Sequence, residues 1–146
     1  MVIERKEYLE KLITWKDKKI IKIVTGVRRC GKSMLLKIYQ NYLKEQGVEE
    51  RQIIDINFED LDFEELTDYK KMYAYLKERL VEGKMTYIFL DEIQNVQDFP
   101  KVLDSLYIKD NIDIYVTGSN AYMLSSEIAT MISGRYIQIE MLPLSF

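Results

Sequence analysis

Gly26-Val27-Arg28-Arg29-Cys30-Gly31-Lys32-Ser33 is the stretch of sequence that decides the fold. Its spacing is G-x-x-x-x-G-K-S; a β-branched run at residues 20–25 precedes it, and a helical pattern begins at Lys32. Between a strand and a helix, this spacing predicts a loop whose backbone N–H groups surround phosphate oxygens. Glycine at both ends permits the tight backbone that such a loop requires.

The side chains of this loop indicate a nucleoside triphosphate, ATP, bound together with Mg²⁺. The amino end of the following helix adds partial positive charge, Lys32 reaches the β- and γ-phosphates, and the Ser33 hydroxyl can ligate the metal. A thiol at Cys30, close to a helix N-terminus, can have a lowered pKa, although a small residue at a variable motif position is the favoured interpretation. We assign cofactor binding to residues 26–34, including Val27, Arg28, Arg29, Cys30 and Met34.

A second polar feature is the pair Asp91-Glu92, which ends the apolar run Tyr87-Ile88-Phe89-Leu90. A buried strand carries its last side chains to the carboxyl edge of a parallel sheet, where ligands bind in open α/β folds. Asp91 is therefore predicted to hold hydrated Mg²⁺, and Glu92 to polarise the attacking water as a general base.

Two further strand ends carry polar side chains with two interpretations each. After the apolar run at residues 112–117, Ser119 or Asn120 contacts the γ-phosphate or the water, or else caps a helix that begins at Ala121. At the end of another run, Asn57 hydrogen-bonds to Glu92 or is an ordinary turn residue.

The alternation of β-rich runs with helical stretches is typical of a layered α/β domain with a parallel sheet. The patterns predict one domain over residues 1–146, with five strands at residues 20–25, 53–58, 86–90, 112–117 and 136–141. They predict helices at residues 5–15, 32–46, 63–82 and 121–132, and one around Phe99 to Leu106 with Pro100 in its first turn.

Composition excludes several classes of site. The chain has 146 residues, 47% of them hydrophobic and 31% charged, with one cysteine and no histidine. Imidazole catalysis, an internal disulfide and a multi-cysteine metal site are thus excluded. Without a long apolar run or a signal-like N-terminus, the chain is predicted to be cytoplasmic with no membrane partner. The cluster Lys16, Lys18, Lys19 and Lys22 is interpreted as a solvated rim, and a nucleic-acid partner is not evident.

Taken together, these stretches resemble the N-terminal ATPase domain of a large prokaryotic family of AAA-type P-loop proteins. The resemblance spans nearly the whole chain, and its C-terminal string is the most specific part. It is carried by Thr25 to Ser33, Phe89-Leu90-Asp91-Glu92-Ile93-Gln94, Thr117-Gly118-Ser119-Asn120, and Gly134-Arg135 followed by Leu142-Pro143-Leu144-Ser145-Phe146.

The resemblance implies a three-layer P-loop fold with strand order 5-1-4-3-2, and hydrolysis of ATP. It also implies roles for particular residues: Lys32 and Ser33 for nucleotide and metal, Asp91 for metal, Glu92 as base, Asn120 (or Thr117 or Ser119) as γ-phosphate sensor, Asn57 as a restraint on the glutamate, and Arg135 as an arginine finger. A finger that serves a neighbouring subunit implies a homo-oligomer; the alternative for Arg135 is a surface ion pair, with Glu140 a candidate.

Family members continue past the Pro-Leu-Ser-Phe string into a further C-terminal domain, so the chain is expected to be the N-terminal part of a longer protein. The apolar Leu142, Leu144 and Phe146 are expected to pack under that domain. The rival functions are those of a GTPase, a kinase and a nucleotide-dependent regulatory module. A GTPase lacks its base-reading Asn-Lys-x-Asp string here, a kinase does not need the water-activating Glu92, and a nucleotide-dependent regulatory module with little turnover stays open.

Overall fold

The computed structural model describes residues 2–26, 31–119 and 135–142. In these ranges the chain forms one sheet of five parallel strands. The strands are β1 (Ile21–Thr25), β2 (Ile53–Asn57), β3 (Thr86–Asp91), β4 (Ile112–Gly118) and β5 (Tyr136–Glu140). The helices are α1 (Val2–Thr14), α2 (Lys32–Glu45), α3 (Tyr69–Glu78) and α4 (Phe99–Tyr107), with 3₁₀ turns at Glu50–Gln52, Leu61–Thr67 and Ile93–Asn95. The predicted helix at residues 121–132 lies outside the described ranges.

The strand order is β2-β3-β4-β1-β5, which confirms the expected order read from the other edge. Thr25 lies beside Gly118 in the register, and Asn57 lies beside Asp91. Since all the strands are parallel, the ends of β1, β2, β3 and β4 meet at one edge. The loop after β1 and the acidic pair after β3 therefore belong to the same edge of the sheet.

Each face of the sheet buries a separate apolar core, because alternate residues of a strand point to opposite faces. Helices α3 and α4 cover one face, and α1 and α2 cover the other, as a three-layer fold requires. The first core includes Ile23, Ile56, Leu90, Val116 and Leu76. The second includes Val24, Phe89, Tyr115, Leu35 and Tyr39.

The prediction of a single helix at residues 63–82 is wrong. A 3₁₀ turn ends at Thr67, Asp68 is extended (φ −78°, ψ 117°), and α3 runs only from Tyr69 to Glu78. The Asp68 carboxylate accepts from the Lys70 N–H at 2.9 Å, which starts a new helix rather than continuing an old one. The apolar spacing survives the break because Leu66 and Met72 contact the same core.

Lys22 is also not the solvated lysine that the sequence suggested. It is 0% exposed, forms an ion pair with Asp113 and donates to the Lys18 carbonyl at 2.8 Å. Strand alternation places it on the α1/α2 face of the sheet, where Asp113 also accepts from the Tyr115 hydroxyl at 2.7 Å. Burial lowers the pKa of Lys22 and raises that of Asp113, and their mutual attraction only partly opposes both shifts.

No helix in the described part of the chain is long and apolar enough to cross a membrane.

Candidate nucleotide site

The phosphate loop joins the end of β1 to the start of α2, as the motif predicts. Gly31 immediately precedes α2 with φ 99°, a backbone region that side chains with a Cβ avoid. Its carbonyl accepts the Leu35 N–H at 2.9 Å, so the helix begins directly at the motif. Val27, Arg28, Arg29 and Cys30 lie outside the described residues.

Lys32 lies between Gly26, the first residue of the motif, and the acidic pair. Its ammonium donates to the carbonyl of Gly26, the first loop residue, at 2.8 Å, and Nζ is 3.6 Å from Glu92 Oε2. The Lys32 side chain is only 4% exposed. A cation is thus held between the loop and the acidic pair. Met34, in contrast, is 60% exposed on the first turn of α2.

Asp91 connects the loop helix to two neighbouring strands. Its Oδ2 accepts from the Ser33 hydroxyl at 2.5 Å, and its Oδ1 accepts from the Thr117 hydroxyl on β4. The described residues hold no group of three or more acidic, cysteine or histidine side chains arranged for a metal. One hydroxyl and one carboxylate nevertheless fit Mg²⁺, which binds through one or two protein oxygens, substrate phosphates and water.

Glu92 has a backbone that is unusual for a residue with a side chain, with φ 58° and ψ 53°. Such left-handed conformations cost energy and persist where neighbours fix them. Here the Glu92 N–H donates to the Thr117 hydroxyl at 2.9 Å, and the Glu92 carbonyl accepts from the Asn95 side chain at 3.0 Å. The turn directs the Glu92 carboxylate toward Lys32.

Gln94 is a contact of the site that the sequence did not suggest. Its Nε2 donates to Glu92 Oε1 at 2.8 Å, so Gln94 and Lys32 together engage both oxygens of the carboxylate. The only signal in the sequence was that Gln94 belonged to one of the strings that carried the resemblance. The spacing of Gln94 in the sequence did not predict its contact with Glu92, two positions earlier in the chain.

Of the two interpretations of Asn57, its contacts fit the turn residue. Its Oδ1 accepts from the Glu59 N–H at 3.0 Å, and its carbonyl accepts from Asp60 N at 3.0 Å. The Glu92 oxygens have the Gln94 and Lys32 contacts described above. Next to Asn57, a cavity of about 330 Å³ between α2 and β2 extends to Ser33 and Asp91.

Arg135 lies at the amino end of the strands, whereas the loop lies at their carboxyl end. Its carbonyl accepts from Ile21 N at 2.7 Å, at the start of β1, whereas the loop follows the end of β1. The guanidinium pairs with Asp104 on α4 at 2.8 Å and lies 5.3 Å from the Tyr107 ring centre. The ion pair is therefore with Asp104 and not with the suggested Glu140, which stands at the far end of β5.

The remaining predicted site residues are only partly described. Ser119 directly follows β4 at the carboxyl edge, whereas Asn120 lies outside the described residues. Of the two described candidates, Thr117 and Ser119, it is Thr117 whose hydroxyl binds both Asp91 and the Glu92 backbone. The apolar segment beyond Leu142 is also outside the described ranges, although Leu142 itself is 66% exposed.

Two relatives match most of this chain in sequence. A protein of Haemophilus influenzae, described as uncharacterized, is 41% identical over 146 residues, which are 99% of this chain and 36% of that protein. An uncharacterized protein of Methanocaldococcus jannaschii is 35% identical over 132 residues, 86% of this chain and 27% of that protein. The chain thus spans about a third of the length of these relatives.

Among solved structures, the chain resembles a DNA polymerase III γ-subunit-related protein of Thermotoga maritima with a TM-score of 0.63 and 14% identity, covering 91% of this chain and 45% of that one. RIF2 of Saccharomyces cerevisiae gives 0.61 and 17%, covering 95% and 56%. At these identities the likeness concerns the fold. A family model described as an AAA domain matches residues 18–146. The chain therefore belongs to the AAA family of P-loop ATPases.

Proposed function

We propose that this domain binds ATP and hydrolyses it in a Mg²⁺-dependent reaction, and that hydrolysis drives a conformational switch in a larger protein. The observation that supports this most is a cluster of five neighbouring residues at the carboxyl end of the strands. Ser33 binds Asp91, Thr117 joins Asp91 to the backbone of Glu92, and Lys32 lies 3.6 Å from the Glu92 carboxylate.

In the proposed reaction, Lys32 exchanges its contact with the Gly26 carbonyl for the β- and γ-phosphate oxygens. Ser33 and Asp91 are the residues that would hold Mg²⁺, which, when bound, neutralises charge on those oxygens. Glu92 orients the attacking water and takes its proton. Asn120 serves as the γ-phosphate sensor, and Arg135 acts on the site of a neighbouring copy.

One observation favours the alternative of a slow, switch-like module. Gln94 donates to one Glu92 oxygen and the Lys32 ammonium lies 3.6 Å from the other, and a carboxylate whose negative charge is stabilised in this way is a weaker base toward water. Turnover would then wait until nucleotide or a partner withdraws one of these donors. A kinase has no comparable support, because the acidic pair ends in a residue suited to activating water.

The test is a phosphate-release assay with Mg-ATP, without any added acceptor. Hydrolysis that requires Mg²⁺ and proceeds without an acceptor supports the ATPase. A tight ATP complex with phosphate release no faster than the uncatalysed rate supports the binding module. Formation of ADP only upon addition of an acceptor, with the phosphoryl group on the acceptor and no free phosphate released, supports a kinase. Calorimetry on the same sample measures the binding step separately, so that loss of turnover is distinguished from loss of binding.

A further inference from the structure

Strand β2 is an edge of the sheet, and part of its backbone is unpaired. Phe58 N donates to the Asp91 carbonyl of β3, so the backbone groups of Ile54 and Ile56, in phase with Phe58, also face β3. Those of Ile53, Asp55 and Asn57 then face outward. Ile53 N and Asn57 O are bonded within local turns. The Ile53 carbonyl, both Asp55 groups and the Asn57 N–H have no partner in residues 2–26, 31–119 and 135–142.

A cavity lies on each side of this open edge. The larger, about 650 Å³, is lined by the edge residues and by Arg51, Tyr75 and Arg79. The Arg79 guanidinium stacks 3.5 Å from the centre of the Tyr75 ring, and its ion pair to Glu78, at 3.6 Å, is exposed and weak. Arg51 forms a similarly exposed pair with Glu49 at 3.2 Å, and Glu82 also lines this cavity. This side of the edge therefore offers apolar surface and two cations whose present ion pairs are exposed and exchangeable.

The smaller cavity, on the α2 side, carries more carboxylates than cations, with Lys37 as its lysine. It is lined by Asp55, Asp60 and Gln40, among others. Gln40 is 6% exposed, and its Nε2 has no hydrogen-bond partner in the described part of the chain. A buried amide donor without a partner costs free energy, so an acceptor in this cavity would be stabilising.

We propose that β2 binds an extended peptide of a partner protein as a sixth strand. The peptide's side chains alternate between the two cavities. Those on the α3 side would be acidic, to meet Arg51 and Arg79. Those on the α2 side would be amides, because an amide can accept from Gln40 Nε2 and also donate to Asp55 or Asp60.

A second copy of this chain fits the edge less well. Two β2 strands paired antiparallel about Asp55 would place two carboxylates directly opposite each other, which destabilises a strand pair. Each Asp55 is paired with Lys37 at 2.5 Å, and no second ion pair of Asp55 occurs within the described ranges. Charge therefore favours a foreign strand that alternates acid and amide.

The test uses the 146-residue chain and a fluorescein-labelled peptide, Thr-Glu-Gln-Glu-Gln-Glu-Thr. Binding should weaken about tenfold when the peptide amides that face β2 are N-methylated, and much less when the outward amides are. Lysine in place of each glutamate should abolish binding to the wild-type chain. Arg79→Glu should weaken binding of the glutamate peptide and improve binding of the lysine peptide. Arg79 has no place in the nucleotide site, so folding and ATP binding serve as controls.

Amide hydrogen exchange identifies the edge directly. Asp55 and Asn57 amides should exchange fast in the free chain and slow at least tenfold with peptide, while those of Ile54 and Ile56 should be slow throughout. Three results would overturn the proposal: no binding at millimolar peptide, binding insensitive to which amides are methylated, or protection of Asp55 that rises with protein concentration alone. The last result would identify a second copy as the occupant.

Discussion

The Ser33 hydroxyl donates to Oδ2 of Asp91 at 2.5 Å, which joins the first turn of α2 to the last residue of β3. The two residues are far apart in sequence, and only the sheet order brings them together, because β3 and β1 are separated by β4 alone. A hydroxyl and a carboxylate already in contact need little rearrangement to share one hydrated cation.

Lys32→Ala should abolish productive binding of Mg-ATP. The substitution removes the buried ammonium that the motif directs at the β- and γ-phosphates, and no other described side chain occupies its place beside Gly26. Isothermal calorimetry measures the affinity. The matched control is Lys37→Ala, one turn further along α2, where an exposed lysine pairs with Asp55. Equal affinity in wild type and Lys32→Ala would contradict the assignment of the loop.

Glu92→Gln should separate binding from hydrolysis. The amide keeps the size of the side chain but cannot accept a proton, so ATP should bind while turnover falls roughly 10²–10⁴-fold. Single-turnover hydrolysis of radiolabelled ATP, beside an equilibrium binding measurement, gives both quantities. A Glu92→Gln protein that hydrolyses ATP at the wild-type rate would require a different base.

Thr117→Val should raise the Mg²⁺ concentration that ATP hydrolysis requires and should also destabilise the fold. The valine leaves the shape of this fully buried residue nearly unchanged but removes the hydroxyl between Asp91 and the Glu92 N–H. An orphaned buried N–H costs about 1–3 kcal/mol, to be read from denaturant unfolding. A Mg²⁺ titration of ATP hydrolysis should shift to higher concentration. Thr117→Ser keeps the hydroxyl and should restore the metal dependence; failure to do so would mean that the methyl group matters instead.

Lys22→Met should destabilise the domain by about 3–5 kcal/mol, because it leaves the buried Asp113 carboxylate without its cation. Adding Asp113→Asn should recover most of that loss, since the amide carries no charge and still accepts from Asp17 N or the Tyr115 hydroxyl. Urea unfolding of the two single variants and the double variant forms the required cycle. Simple additivity of the two single effects would mean that the pair is not coupled.

The sequence predicted the parts of the site that short spacing encodes. The motif placed Lys32 and Ser33 at a helix start, and the apolar run before Asp91 placed that residue at the carboxyl edge. The order of the strands came from the resemblance, and the structure confirms it. These features depend on local pattern and on a topology shared across the family.

What the sequence missed depends on partners distant along the chain or on a competing local bond. Lys22 lay within a run of lysines, and only the pairing of β1 with β4 shows that Asp113 neutralises it. The break before α3 follows from one carboxylate at Asp68 that outweighs a continuous apolar period. The left-handed turn at Glu92, which brings Gln94 onto its carboxylate, leaves no periodic signal.

Arg135 provides the most demanding prediction, because its position argues against action on its own site. It precedes β5 at the amino end of the strands, whereas the phosphate loop lies at their carboxyl end. The length of β1 separates these two ends by roughly 16 Å, at about 3.3 Å per residue. We therefore expect a catalytic contact of Arg135, as proposed above, to be made with another copy. The Asp104 ion pair holding it is 43% and 36% exposed, and a pair this exposed contributes little stability and can be exchanged for a phosphate.

The experiment mixes two inactive proteins. Arg135→Ala keeps the loop and loses the guanidinium, whereas Lys32→Ala keeps the guanidinium and loses the loop. If Arg135 acts between subunits, the mixture should hydrolyse ATP faster than either protein alone, since some neighbours then combine an intact loop with an intact arginine. Asp104→Ala, which frees the guanidinium without removing it, should retain activity and so separates the finger from its ion pair. Full activity of Arg135→Ala by itself would leave the arginine a surface residue, bound to Asp104 and to nothing in the reaction.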